Sequence, residues 1–326
     1  MFRAELESVG RARRPAAASP IETPALGPLM ARAADLHPSS RPTLIQYGAQ
    51  MATLALVRFA DGHVICFEPR TGEVLPPNSR FASAFITLVR LHTFAFWTHG
   101  ETVAGSLALI VIALTASGLY LGWPGSARAL RALLTPGRRL KGWSWHLSLH
   151  KTTGFYASAF LLTSACTGLP VAFTWIRDLV YRGTGSPIAR SPATGSGTKN
   201  ATVPIDDLAR IAATLAPGPH HTTIRYRAGG LVECYLVAPD APHPNARTTL
   251  FIDGSNGTVL SFVPYAQSSA GHRLYFWLLS IHTGRVGGLA GQLALLSGAL
   301  AVPALAIFGV MSFWRRPRET GQPLPA

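Results

Sequence analysis

Five histidines stand in or beside the apolar stretches of this chain: His92 and His99 in "RLHTFAFWTHG", His146 and His150 in "WHLSLHKTTG", and His282 in "SIHTGRVGGLAG". Ionisable side chains at membrane spans are costly and tend to mark sites. Neutral imidazole is also a standard axial ligand for haem iron. A b-type haem held by two histidines needs one imidazole from each of two facing helices, at matching depth, with small residues leaving room for the macrocycle. His92 and His282 meet that description, and Gly105, Gly287, Gly288 and Gly291 are the small residues expected to supply the room. For any one of these histidines alone, the plain alternative is a hydrogen-bonded interfacial side chain. His146 and His150, four residues apart, share one side of a helix. Such a pair can bind zinc, but no third ligand is evident. A haem ligand at the opposite membrane face is the better reading for His150, its partner coming from a further helix.

The elements that must position these residues are membrane helices. A composition of 48% hydrophobic and only 13% charged residues over 326 positions is unusual for a soluble enzyme. Three uncharged stretches, Thr102–Ala127, Thr152–Ile176 and Val286–Trp314, each exceed the roughly 20 apolar residues that cross a bilayer. Helices buried in a soluble core rarely run past about 14 residues without a charge. The 124–145 connection carries Arg128, Arg131, Arg138, Arg139 and Lys141 with no acid, and the tail carries Arg315, Arg316 and Arg318. The positive-inside rule puts both in the cytoplasm. The mixed-charge segment 177–285, rich in Gly, Pro, Ser and Thr, then lies outside, with everything before the first span. The net charge of +14 therefore reports topology and calls for no nucleic acid. Acid/base dyads, nucleophile motifs and phosphate loops are absent, which argues against a hydrolase or kinase. Cys66, Cys166 and Cys234 have no metal-type spacing; Cys66 and Cys234 share the oxidising side, where they could pair.

The two halves of the chain resemble each other. "LMARAADLHP" (29–38) matches "LARIAATLAP" (208–217) at an offset of 179, and "FEPRTGEVL" (67–75) matches "IDGSNGTVL" (252–260) at 185. "SGLYLGW" (117–123) matches "FGVMSFW" (308–314) at 191. His92 falls on His282 at an offset of about 190, whereas His99 falls on Leu289. Each outer segment reads as a helix followed by strands. In the first, "TLALVRF" and "VICFEP" flank a turn; in the second, "TTIRYR", "LVECYLVA" and "TTLFIDG" surround Gly229-Gly230 and a proline-rich loop. The expected organisation is a basic segment (1–20), a first small α+β module (21–91), a span (92–127), a basic loop (128–145), a span (146–176), a second module with its linker (177–281), a last span (282–314) and a tail (315–326). The middle span precedes the second module, and the same arithmetic puts its counterpart upstream of Met1, where a fourth helix is expected.

The residues "LHTFAFWTHGE…GLYLGWP", "LSLHKTTGFYASAFLLTSACTGL", the "GEVL" and "GTVL" hairpins and "IHTGRVGGLAGQLALLSGAL…FW" resemble the PepSY-associated transmembrane family over roughly residues 20–316. That resemblance implies a membrane α-helical bundle, three spans here and four in the family, with two small extracytoplasmic α+β PepSY-like modules. Its members are bacterial inner-membrane proteins, often iron-regulated, and include haem-containing reductases of ferric siderophores. Carried over by position, it points to His92, His150 and His282 as ligands of one or two b-type haems, the iron held first by His92 and His282, with His99 and His146 in reserve. The implied partners are the lipid bilayer, a cytoplasmic electron donor and a ferric siderophore or other periplasmic acceptor. Arg273, Tyr275 and Arg285 are expected near an anionic chelate, or near lipid headgroups. The rival reading is a membrane-anchored module that binds a protein or peptidase without haem.

Overall fold

The structure, a computed structural model, describes residues 25–48, 54–69, 71–75, 87–137, 139–188, 191–192, 201–218 and 220–315. The basic segment 1–20, Arg138, Arg316 and Arg318 lie outside the described residues. In chain order the helices are α1 (Leu26–Leu36), α2 (Gly100–Gly122), α3 (Ala127–Leu134), α4 (Gly142–Ala172), α5 (Thr174–Gly183), α6 (Ile205–Leu215), α7 (Ala270–His282) and α8 (Gly288–Trp314). The strands are β1 (Pro42–Gly48), β2 (Ala55–Phe59), β3 (Val64–Phe67), β4 (Val74–Leu75), β5 (His221–Tyr226), β6 (Leu231–Val237), β7 (Thr248–Asp253) and β8 (Val259–Val263). They fall into two compact units, one built from 92–177 and the chain from Leu278 onward, the other from the residues up to Leu91 and Asp178–Trp277.

In the second of these units the strands expected in two separate modules form one continuous antiparallel sheet, ordered β4-β3-β2-β1-β5-β6-β7-β8. The join is the β1–β5 pair, where Ile45 lies opposite Ile224. These two residues are 179 apart, and so are the first and last residues of α1 and α6. The β-turns at Gly72 and Gly257 use the same positive φ, 67° and 78°, which glycine adopts without steric cost. Alternation along the strands sends Ile45, Val57, Phe67, Ile224, Val232, Leu250 and Ile252 into one core. The helices meet that core through a 3.6-residue stripe: Leu26, Leu29 and Ala33 on α1, and Ile205, Leu208, Ala209 and Ala212 on α6. Asp206, in the first turn of α6, accepts the backbone N–H groups of Leu26 and Gly27 at 2.6 and 3.1 Å. It thereby satisfies donors at the start of α1 that have no partner within their own helix. A side chain at Gly27 would stand 2.6 Å from that carboxylate, so the cap needs the glycine.

This sheet rules out a disulfide between Cys66 and Cys234, which the shared oxidising side had left open. They lie on β3 and β6, four strand steps apart, which at about 4.8 Å per step is roughly 19 Å. A disulfide tolerates no more than about 7 Å between Cα atoms. Cys166 and Cys234 are free thiols.

In the other unit α4 is central, packing against α2 and against α8. Among the described residues three helical segments are long and apolar enough to cross a membrane, Gly100–Gly122, Gly142–Ala172 and Arg285–Trp314. The first ends before the apolar stretch does, because Trp123 turns extended ahead of Pro124. The second starts ten residues before Thr152: Lys151 closes the uncharged stretch but not the helix. The basic connection is partly helical. Ser126 caps α3, whose arginines Arg128 and Arg131 alternate with Leu130, Leu133 and Leu134. Tyr156 donates its hydroxyl to the Leu134 carbonyl at 3.1 Å, tying α3 to α4. The helices approach closely through small residues. A side chain at Gly298 would come within 2.8 Å of Phe160, and one at Gly105 would run into the Phe173 ring.

Candidate functional site

The segment carrying His92 is helical over 87–92 and then reverses sharply. Phe94 in that reversal has a φ of 50°, a left-handed conformation that costs a non-glycine residue roughly 1 kcal/mol or more. Gly100 follows, packed so tightly on the Phe94 carbonyl that a side chain there would collide with it. His99 thus sits at the N-terminus of α2 and not on a helical face shared with His92. The expectation of one continuous helix through both histidines gives way to a break between them.

His282 is the last residue of α7. Behind it Gly284, at φ 69°, lets the chain fold back toward α8, and an added side chain there would stand 2.8 Å from the Gly291 carbonyl and 2.9 Å from the Gln292 Cα. The His282 imidazole lies on α4, where its Nδ1–H donates to the Ser164 carbonyl at 2.9 Å. A carbonyl can only accept, so in the neutral imidazole the bond fixes the proton on Nδ1 and leaves Nε2 with its lone pair. The His92 ring stands 6.0 Å from the His282 ring, centroid to centroid, at 29° between planes. That lies within the roughly 4.5–7 Å between centroids of an ordinary offset aromatic pair. It is close to what two imidazole nitrogens need to share one metal ion, with bonds of about 2.0 Å on either side and the two ring radii beyond.

His150 repeats the arrangement between α4 and α8. Its Nδ1–H donates to the Leu305 carbonyl of α8 at 3.0 Å, which again leaves Nε2 as the free nitrogen. Beside it opens a cavity of about 420 Å³, walled by Leu114, Gly118 and Gly122 of α2, Gly154 and Phe155 of α4, and Leu305 of α8. His146, one turn earlier on α4, has a buried Nδ1 with no hydrogen-bond partner among the described residues. No cluster of three His, Cys, Asp or Glu among the described residues could hold a metal ion by itself, so the i,i+4 pair gains no third zinc ligand.

The glycines expected to make room differ in their surroundings. Gly287 and Gly288 have nothing near them, Gly105 receives Phe173, and Gly291 receives the Gly284 carbonyl. The imidazoles instead lie against Gly168 and Gly309. A side chain at Gly168 would come within 2.8 Å of His282 Cε1, and one at Gly309 within 3.5 Å of His150 Cε1 and Nδ1. Glycines are common in membrane helices, so these two were indistinguishable from the rest until their neighbours were known. Arg273 and Tyr275 are both on α7, two residues apart and so not facing one way. Arg285 lies in the turn between α7 and α8.

A family model, PepSY-associated TM region, matches residues 1–316. The chain belongs to this family. No curated protein matches it. The PepSY-associated TM assignment agrees with the three apolar helices and the antiparallel sheet, and it makes this a membrane protein with several spanning helices.

Proposed function

We propose that this PepSY-associated protein carries electrons through b-type haem across the bacterial inner membrane, to a ferric siderophore or a similar acceptor on the periplasmic side. The observation that carries the reading is the state of two imidazoles. His282 and His150 both commit Nδ1–H to a backbone carbonyl, and both keep Nε2 free. Metal-bound histidines characteristically donate their other ring N–H in this way, which fixes the tautomer and raises the basicity of the ligating nitrogen. His92, whose ring centroid is 6.0 Å from that of His282, is the residue that would share the iron with it. The cavity beside His150, glycine-walled on α2 and α4, suits a flat apolar macrocycle.

Haem, when bound, supplies one-electron exchange between ferric and ferrous iron. The chain's part is to hold the imidazoles, to exclude water with α2, α4 and α8, and to set orientation. The positive-inside rule supports reading Arg128, Arg131, Arg139, Lys141 and Arg315 as cytoplasmic and the strand-bearing segments as periplasmic. Delivery of one electron to a ferric chelate loosens it, because siderophores hold ferrous iron weakly. The likeness between the two halves of the sheet is read as an internal repeat, supported by the common 179-residue offset of α1 to α6 and of Ile45 to Ile224.

A reduced-minus-oxidised optical spectrum of the purified full chain tests this. The Soret and α bands of a b-type haem are expected, and His282→Ala and His92→Ala are expected to diminish them. A colourless protein from haem-replete cells would sink the reading and leave the membrane-anchored binding module.

A further inference from the structure

The two imidazoles meet the same backbone figure. His282 lies on Ser164 and Gly168 of α4, and His150 lies on Leu305 and Gly309 of α8. In each case the accepting carbonyl belongs to residue i and the glycine is residue i+4. The cause is the geometry of the helix. Every Cα–Cβ bond tilts toward the N-terminus, so a side chain at i+4 covers the turn that holds the carbonyl of i. Glycine removes the cover. The carbonyl oxygen has two lone pairs, of which the helix uses one, so the exposed lobe can accept an imidazole N–H; at Ser164 the Thr167 hydroxyl, bonded more closely to the Thr163 carbonyl at 2.6 Å, also approaches at 3.3 Å. The figure is also reciprocal: α4 sends His150 to α8, and the arm leading into α8 sends His282 to α4.

We propose that Gly168 and Gly309 are positioning residues, each of which uncovers a helix carbonyl that holds a histidine as its Nδ1–H tautomer with Nε2 presented. The use of that Nε2 by iron rests on the haem reading above; the tautomer does not. The two notches differ in tolerance. At Gly168 a methyl would stand 2.8 Å from Cε1 and 3.1 Å from Nδ1 of His282, so the ring must move. At Gly309 a methyl would stand 3.5 Å from the His150 ring, an ordinary contact, and only a larger side chain displaces it.

The test uses the full chain, purified free of haem in lipid nanodiscs with ¹⁵N-labelled histidine rings. Signals are assigned by their loss in His150→Gln and His282→Gln. Both histidines are expected as neutral Nδ1–H tautomers at mildly alkaline pH. Gly168→Ala is expected to move His282 out of that tautomer and leave His150 alone. Gly309→Ala changes neither, and Gly309→Leu moves His150 alone. In haem-loaded protein Gly168→Ala further lowers haem affinity about 10–100-fold, the usual cost of losing a hydrogen-bond partner behind a ligand, and shifts the midpoint potential. Unchanged His282 signals in Gly168→Ala, or an Nε2–H tautomer at His150 or His282 in the unmutated chain, overturn the proposal. Should Gly168→Ala fail to fold, the unmutated chain's tautomers and Gly309→Leu decide it. A chain that binds no haem but keeps both tautomers and their response to the glycine variants supports the positioning and overturns the haem reading.

Discussion

Ile45 and Ile224 face each other across β1 and β5 at the centre of the eight-stranded sheet, and both are fully buried. Each is the other's counterpart at the 179-residue offset, so an approximate two-fold axis relating the halves passes through this one pair. Truncating either side chain removes buried methylenes on that axis and leaves a cavity. Ile45→Ala and Ile224→Ala are each expected to destabilise the sheet unit by about 2–5 kcal/mol. Peptide-resolved hydrogen exchange should show faster exchange in both β1 and β5 for either variant. Loss of protection confined to the mutated strand's own half would mean that the halves fold as independent sheets.

Asp206 and Gly27 occupy equivalent places on α6 and α1, yet only one of them has a side chain. One carboxylate serves the start of the other half's helix, where it satisfies two N–H groups and opposes the positive end of the dipole. Asp206→Ala is expected to cost about 1–2 kcal/mol, the range for losing a helix cap. The loss should appear as fraying of α1 in hydrogen exchange, before any change in α6.

The spans were legible because they are long and uncharged, and their errors trace to single residues. Lys151 ended the uncharged stretch at Thr152, although the expected span already ran back to His146, and α4 starts earlier still, at Gly142. A long lysine side chain can lie along a helix and carry its charge to the interface, so the helix continues through it. The hairpins were legible from their turn residues. The fusion of two modules into one sheet was not, because β1, "PTLIQYG", opens on a proline, and its pairing with a strand 179 residues away has no local signature. The correspondence of His92 to His282 came from an offset between segments. The partners of those rings could not, since a backbone carbonyl has no sequence signature and Gly168 and Gly309 look like any other glycines in a span.

His272 gives the sheet unit a pH dependence. Burial, together with the nearby Arg247 guanidinium, lowers its pKa to about 4, while the ring packs on Phe276 at 4.6 Å and lies 3.4 Å from the Tyr181 hydroxyl. Unfolded, it titrates near its ordinary value of about 6.5. Between these values the unfolded chain binds more protons than the folded one, so stability is full above about pH 6.5 and falls as the pH drops toward 4. Solvent reaches part of the ring, which holds the expected loss to the order of 1 kcal/mol. Exchange protection in α7 measured across this window should fall with pH, and His272→Phe should flatten the dependence. A fall of equal steepness in the variant would assign it to other groups.

Haem number separates the two histidine levels. His282 docks at Ser164 and His150 lies fourteen residues earlier on α4, which at about 1.5 Å per residue is roughly 21 Å along the helix. That is most of the roughly 30 Å thickness of a bilayer core, so no single macrocycle reaches both. If both free Nε2 atoms ligate iron, a pyridine haemochrome assay on the purified chain gives two haems per polypeptide. His282→Ala and His150→Ala each remove one, and the double variant removes both. His99→Ala keeps both, because the break at Phe94 takes His99 off the helix that carries His92. A single haem lost only with His282 would leave His150 a helix-packing residue, its Nδ1–H bond to Leu305 serving only to join α4 to α8.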